Sequence, residues 1–448
     1  MEFLAILLFI IIFIVILKGY PVAFTLGGIS IAFAFGISIF APEYFTMSTF
    51  YLLPSRIMGV VNNYVLMAVP LFIFMGIMLE KSGLAQRLLE TMAMMFGRIR
   101  GGLAISVIIV GALLAASTGI VGATVVTMGL ISLPTMLSRG YKTELATGVI
   151  AASGTLGQII PPSIVLVLLA DTINSSSRGG GSVDVGTLFS AALFPGLLLV
   201  GLYVFYILIK AWIHKNDAPS IPKEEIIAFR ADNLTSKIVK VLLLPLLLIV
   251  LVLGSIFTGV ASPTEASAIG AIGATILTII QKKFSFTILK DVAQETTRLT
   301  SMVFFILLGA TTFTLVFRTL GGDQYLQDLI LSSQLTPLMF LLLVMCVIFI
   351  AGFFIDFIEI IFIVVPVVTP VFNALDMNML WVGILMALNL QTSFLTPPFG
   401  FALFYLKGVA PEKVKTSQIY RGIIPFIVIQ LIVIGIVMFY PKLIFISV

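Results

Sequence analysis

Four short stretches place glycines or polar oxygens within otherwise apolar sequence. They are Ser117-Thr118-Gly119, Ser153-Gly154-Thr155, Gly352 to Asp356, and Asn389 to Thr396 with Gln391, Thr392 and Ser393 between. Hydroxyl, amide and carboxylate oxygens are the ligands sodium prefers. Two of the runs precede a proline pair, Pro161-Pro162 and Pro397-Pro398, and the pairs lie 236 positions apart. Consecutive prolines remove two amide donors and break a helix's hydrogen-bond ladder. At membrane depth such a break survives only against protein, a cavity or a ligand, because lipid satisfies no backbone group. Its free carbonyls suit a cation and its free amides an anion. Taken singly, each Ser or Thr is better read as helix-packing glue. Four clusters at matched positions argue instead for one central site built from two tips and two broken helices.

Asp356 and Glu359 are the sharpest single residues. Both lie in GFFIDFIEIIFIVVP, where a charge costs a few kcal/mol unless it is partnered. Asp356 fits a sodium or proton ligand with Glu359 one turn deeper as its partner; a tip near the interface with both groups hydrated is the other reading. Glu265, in SPTEAS, fits a helix cap better than a ligand. Asp171 and Arg178 are expected to be solvated loop residues. Arg318 is expected to snorkel, with binding of a substrate carboxylate as the alternative. Cys346 and His214 are single. No disulfide, zinc cluster or His-based triad is available within this chain.

The elements that position these groups are membrane helices. The chain has 448 residues, 60% hydrophobic and 10% charged, where soluble domains carry roughly 25% charged residues. Phe3 to Leu17 follows Glu2 rather than a basic residue, so it reads as a first membrane helix and not a secretory signal. Residues 1–213 form one half, with crossings at Glu2–Leu17, Val22–Phe40, Val61–Leu79 and Leu188–Ile213. The stretches Tyr44–Met58 and Gly83–Arg100 are expected at the interface. Leu103–Leu137 is expected to be a re-entrant hairpin, its arms of about 15 residues being short for full crossings; two ordinary short helices are the alternative. A broken crossing runs from about Glu144 to Leu169, and Asp171–Val185 is a polar loop.

Residues 214–240 form a charged connector, and 241–448 repeat the order. Crossings are expected at Val241–Phe257, Ala266–Ile280, Met302–Phe317 and Ile423–Tyr440, with an interfacial Phe284–Arg298. Pro337–Val371 has the hairpin pattern, and Leu380–Lys407 is the second broken crossing. Five crossings per half invert the second half, an inverted-topology repeat. All but four of the 25 basic residues then fall on one face; Arg56, Arg178, Arg318 and Lys442 fall on the other. The positive-inside rule makes the basic face cytoplasmic and both termini extracytoplasmic. The net charge of +5 reflects this asymmetry and not a nucleic-acid surface.

Three segments together resemble the large membrane subunit of TRAP transporters, the DctM-like type. They are Gly259 to Ala266 (GVASPTEA), Ser153 to Ser163 (SGTLGQIIPPS), and Gly352 to Asp356 (GFFID) followed by Pro366 and Pro370. The resemblance covers essentially the whole chain. It implies an all-α polytopic fold related to ion transporters, with two re-entrant hairpins, two broken helices and an elevator mechanism in the bacterial inner membrane. It implies sodium-coupled import of an organic acid, a small four-helix membrane subunit as a separate chain, and a periplasmic solute-binding protein. It implies no covalent cofactor. Sodium would lie at Ser117, Ser153, Gly352, Asp356, Thr392 and Thr396. The sodium and solute region would extend over Thr118, Gly119, Gly154, Thr155, Pro161, Pro162, Asn389, Gln391, Ser393 and Pro397. The long Asp171–Val185 loop is expected to touch the binding protein. A stand-alone sodium/carboxylate symporter of related fold is the competing expectation. An intramembrane enzyme is disfavoured by the absence of any catalytic dyad, and a passive channel by breaks that suit occluding gates.

Overall fold

The computed structural model describes residues 2–119, 121–177, 183–231, 238–333 and 335–445, all helix and connecting turns. Eight helices among them are long and apolar enough to cross a membrane. Together with shorter helices they form two bundles.

The first bundle comprises α1 (Glu2–Leu17), α2 (Val22–Phe40), α3 (Leu53–Val61) and α4 (Ala68–Lys81) from the first half. Residues after the connector supply α12 (Leu244–Phe257), α13 (Pro263–Ile280) and α14 (Phe286–Thr319). Helices α13 and α14 pack on α4, and α14 packs on α2. Helix α13 starts where the sequence places a cap: Glu265 Oε2 accepts from Ser262 N at 2.8 Å and Glu265 N donates to Ser262 Oγ at 3.3 Å. This reciprocal arrangement satisfies two backbone donors that a helix start leaves open.

The second bundle begins with α6 (Gly102–Thr118), which turns at Gly119 toward α7 (Val121–Ser138). Next come α8 (Thr143–Thr155), α9 (Ile164–Ser176) and α10 (Val185–Ile213). Its second-half members are α16 (Pro337–Ala351), α17 (Phe357–Ala374), α18 (Met379–Leu395), α19 (Phe401–Val409) and α20 (Thr416–Phe439). The two halves interlock. Helix α7 packs on α19, α17 on α9, and α8 on α20. Helix α17 is enclosed over 78% of its apolar window, against 33% for α2. It is therefore an interior helix, while α2 presents most of its surface outward. Two amphipathic helices pack on the second bundle, α5 (Leu84–Phe96) on α6 and α15 (Gly322–Ser332) on α17.

Several expectations change. Phe284–Arg298 and Met302–Phe317 are one helix of 34 residues, α14, because no proline or glycine interrupts 286–308. Asp171 to Ser176 complete the last turns of α9, so the loop starts later than expected. Arg178 and the centre of that loop lie outside the described residues. One apolar pair, Met47–Val61 with Val65–Lys81, meets at a sharp 52° bend. The sequence marks nothing re-entrant there; Asn62 and Asn63 end the first helix and a 3₁₀ turn opens the second.

The first part of the connector, residues 214–231, is docked on the helices. It contains α11 (Lys223–Ala231), and Ala218, Ile221 and Ile226 are buried. Gly101 N donates to Ala218 O at 3.0 Å, Ile221 N to Gly97 O at 2.9 Å, and Lys142 N to Asp217 O at 3.1 Å. These bonds fasten it to the starts of α6 and α8.

Candidate functional site

The first break is enclosed. Helix α8 ends at Thr155, a 3₁₀ turn spans Leu156–Gln158, and α9 resumes at Ile164. Every residue from Ala151 to Ala170 is buried except Ile160, which is half-buried. Ser163 bridges the gap: its hydroxyl donates to Gln158 O at 2.8 Å and caps α9 by accepting from Leu166 N at 3.5 Å. Ser153 and Thr155 return their hydroxyls to Ile150 O and Ala152 O. Gly154 lies against Val125 of α7, and Gly157 lies against the Ala115 carbonyl of α6. The α6–α7 turn thus sits on the break. Its Gly119 has φ +61°, a left-handed conformation that favours glycine, and a Cβ there would meet Ile164. Ser117 and Thr118 close α6, but their side chains lie outside what is described.

The second break repeats this plan with more exposure. Helix α18 ends at Leu395 and α19 begins at Phe401. Thr396 Oγ1 donates to Thr392 O at 2.8 Å, and Gly400 N to Thr396 O at 3.0 Å. The 352–356 turn sits on it: a Cβ on Gly352 would overlap the Ser393 hydroxyl. Asn389 Nδ2 donates to Met345 O of α16 at 2.7 Å. Phe354 packs on Phe399 and Phe357 on Phe394, with centroids 5.4 and 6.0 Å apart. Pro398 and Phe399 are exposed, unlike their counterparts Pro162 and Ser163. Both proline pairs, 161–162 and 397–398, are cis.

Asp356 is the N-cap of α17. Its Oδ1 accepts from Phe357 N at 2.7 Å, and Glu359 Oε2 accepts from Asp356 N at 3.1 Å. The two carboxylates thus cooperate through the helix start rather than facing each other across a void. A cavity of ≈ 50 Å³ beside them is lined by Asp356, Phe357 and Ile358 of one tip and by Ile164, against which the other tip rests. Ile73 of α4 and Met302 of α14 close it. By volume the space has room for a water, which needs about 15 Å³, and Asp356 is its one polar lining residue. The space is too small for an organic solute. The Asp356 turn therefore borders an ion-sized gap, walled otherwise by apolar side chains, and not one roomy chamber.

Sequence reasoning left out Gln158. It is wholly buried, as is Gln391, and neither amide's Oε1 or Nε2 has a hydrogen-bond partner among the described residues. Gln158 lies on the 3₁₀ turn that contacts α18, the helix carrying Gln391. A buried primary amide without partners costs about 1–3 kcal/mol, so two of them beside the breaks point to a ligand. The available signal was a glutamine inside an apolar run on both sides of the repeat.

Two further residues differ from expectation. Arg318 does not snorkel; its side chain is 14% exposed, its Nη2 donates to Ser176 O at 3.0 Å, and its Nε lies 3.9 Å from Asp323 Oδ2. Asp171 is half-buried on α9 and accepts from Asn63 Nδ2 at 2.5 Å.

The sequence profile described as "Tripartite ATP-independent periplasmic transporter, DctM component" matches residues 5–443. The chain is 33% identical over 381 residues to the C4-dicarboxylate TRAP transporter large permease protein DctM of Pseudomonas aeruginosa, covering 85% of each. It is 29% identical over 432 residues to the sialic acid TRAP transporter large permease protein SiaM of Vibrio cholerae, covering 95% of this chain and 93% of that one. Its fold is similar to that of the YdaH transporter of Alcanivorax borkumensis, with a TM-score of 0.62 across 87% of each chain at 15% identity.

Proposed function

The chain belongs to the tripartite ATP-independent periplasmic transporter family as its DctM component, the large permease, and from that premise we propose that it couples the inward movement of sodium to import of a small organic acid. It is a transport component and not an enzyme. The observation that carries the coupling is the pair of helix breaks, each covered by a turn, with the amides of Gln158 and Gln391 beside them, unpartnered among the described residues. Broken helices at matching places in two halves are where secondary transporters bind ions and substrate.

On this reading the α6–α7 and α16–α17 pairs are re-entrant hairpins in an inverted repeat. The exchanged packing supports it: α7 rests on α19 and α17 on α9, the same relation with the halves swapped. Sodium sits at the tips, held by backbone carbonyls around Ser117 to Gly119, Ser153 to Thr155, Gly352 to Asp356 and Thr392 to Thr396. The bundle carrying both breaks is the moving body, and the bundle of α1–α4 and α12–α14 is the scaffold. The basic face is cytoplasmic and both termini lie outside. A periplasmic binding protein delivers the solute, and a small membrane subunit braces the scaffold. The relatives named for C4-dicarboxylate and sialic acid support a small organic acid as the solute.

The test is uptake by proteoliposomes holding the chain with its small subunit and binding protein. Labelled succinate and N-acetylneuraminate are offered under an inward sodium gradient, an inward proton gradient, or neither. Uptake of a carboxylate with sodium alone is the expected result. Uptake that follows the proton gradient and ignores sodium would replace the coupling ion. Sodium-driven uptake without the binding protein would favour a stand-alone symporter.

A further inference from the structure

Two cavities are stacked along the same three helices. Helices α9, α14 and α17 line the ion-sized gap at Ile164, Met302 and Phe357, and they line a larger cavity at Asp171, Thr311 and Phe362. At 1.5 Å per helical residue the two levels are roughly 10 Å apart. The larger cavity has a volume of ≈ 280 Å³, close to the ~300 Å³ at which small-ligand pockets begin. Its wall is shared: α3 and α14 come from one bundle, α9 and α17 from the other.

Its charge is unusual for its position. The charge count leaves four basic residues on the outer face, and one of these, Arg178, is outside the described residues. Of the remaining three, Arg56 and Arg318 both line this cavity. Arg318 is held in place by Ser176 O and Asp323, so its guanidinium is oriented before any ligand arrives. Asp171, the carboxylate on the wall, is engaged by Asn63. Thr172, Ser175 and Thr314 also line it, and Leu307, Phe362 and Pro366 are among its apolar walls. A guanidinium presents a planar fork of donors that matches a carboxylate or sulfonate in a bidentate manner.

We propose that this outer cavity is a receiving site for a small organic anion, in which Arg56 and Arg318 hold a carboxylate or sulfonate one level above the ion gap. The proposal rests on the reading of the chain as an importer of organic acids. The solute waits between the two bundles while the gap below is still only ion-sized. Because each bundle supplies part of the wall, relative movement of the bundles dismantles the site and releases the anion.

The experiment places a thiol in the cavity with Thr314→Cys in a Cys346→Ser background, in spheroplasts carrying the chain with its small subunit. Two probes are applied from outside: an anionic sulfonatoethyl methanethiosulfonate and its cationic trimethylammonium counterpart. The anionic probe is expected to react about tenfold faster; Asp171 and Asp323 balance the two guanidinium charges, so the preference comes from the N–H donors of Arg56 and Arg318 and not from net charge. Its rate is expected to saturate with concentration, as binding before reaction requires, while the cationic rate rises linearly. Arg56→Gln is expected to abolish the saturation and the rate difference; Arg318→Lys, which keeps the charge and the Asp323 pair, is expected to preserve the preference for the anion. Equal, linear rates for both probes, or a thiol reached only from inside, would overturn the proposal. Those outcomes alongside normal sodium-driven uptake would leave the import reading standing. A saturable anionic rate in a chain that takes up no organic acid would do the reverse.

Discussion

Gln158 and Gln391 separate function from folding at single positions. Each buries an amide with no partner among the described residues, which costs about 1–3 kcal/mol. Leucine has nearly the same shape and carries no such penalty. Gln391→Leu is therefore expected to match or exceed the parent in melting temperature while losing uptake at least about tenfold, equivalent to ~1.4 kcal/mol of ligand interaction. Gln158→Leu is expected to behave likewise. A loss of stability with uptake retained would assign both amides to packing. Asp356 is a different case: it caps α17, so its replacement disturbs the helix start as well as any ion it holds, and uptake by such a variant reports both effects together.

Among the elements, the crossing of α8 and α20 holds the first break against the second half. A Cβ on Gly148 would overlap the backbone carbonyl of Gly422, and a Cβ on Gly422 that of Glu144. Small residues let membrane helices approach this closely. Gly148→Ala is expected to force the helices apart and to cost about 1–3 kcal/mol, the usual penalty of overpacking. Gly201→Ala, on the same bundle with nothing within 4 Å, is the control. Thermal unfolding of the detergent-purified variants, followed by size-exclusion, measures both. Equal melting temperatures would show that this crossing tolerates separation. Neither glycine stands out in the sequence, because nothing in a run such as TELATGVIAASGT identifies which face meets another helix.

For the whole molecule, the polar ties between the two bundles matter most. Thr127 Oγ1 on α7 donates to Glu80 Oε1 on α4 at 2.6 Å. At the other end Asn63 meets Asp171, and Arg318 meets Ser176. If one bundle moves against the other, these contacts part in every cycle. Bridging Glu80→Cys and Thr127→Cys with a short bifunctional thiol reagent, in a Cys346→Ser background, is expected to stop uptake. A cleavable linker is expected to restore it on reduction. Undiminished uptake in the fully bridged protein would mean that these two helices keep their relation throughout transport.

The sequence by itself determined the class of molecule: helices that cross a bilayer, two breaks at matching proline pairs, a charge asymmetry that implies an orientation, and polar clusters beside the breaks. These are local properties, since composition sets lipid solubility and proline removes its own donor wherever it lies. It also determined the Ser262–Glu265 cap, which depends on residues three apart. Only the tertiary structure decided what those clusters face. It set Gly352 against Ser393 and Gly119 against Ile164, enclosed one break and left the other partly open, joined 286–319 into one helix, and docked the first part of the connector on α6 and α8. It also brought Arg56 and Arg318 to one cavity across 262 positions of chain. The physical reason is that apolar side chains on membrane helices suit lipid and protein equally well. Burial therefore leaves no periodic signature in such a sequence, and only the packed helices reveal which polar groups have been withdrawn from both.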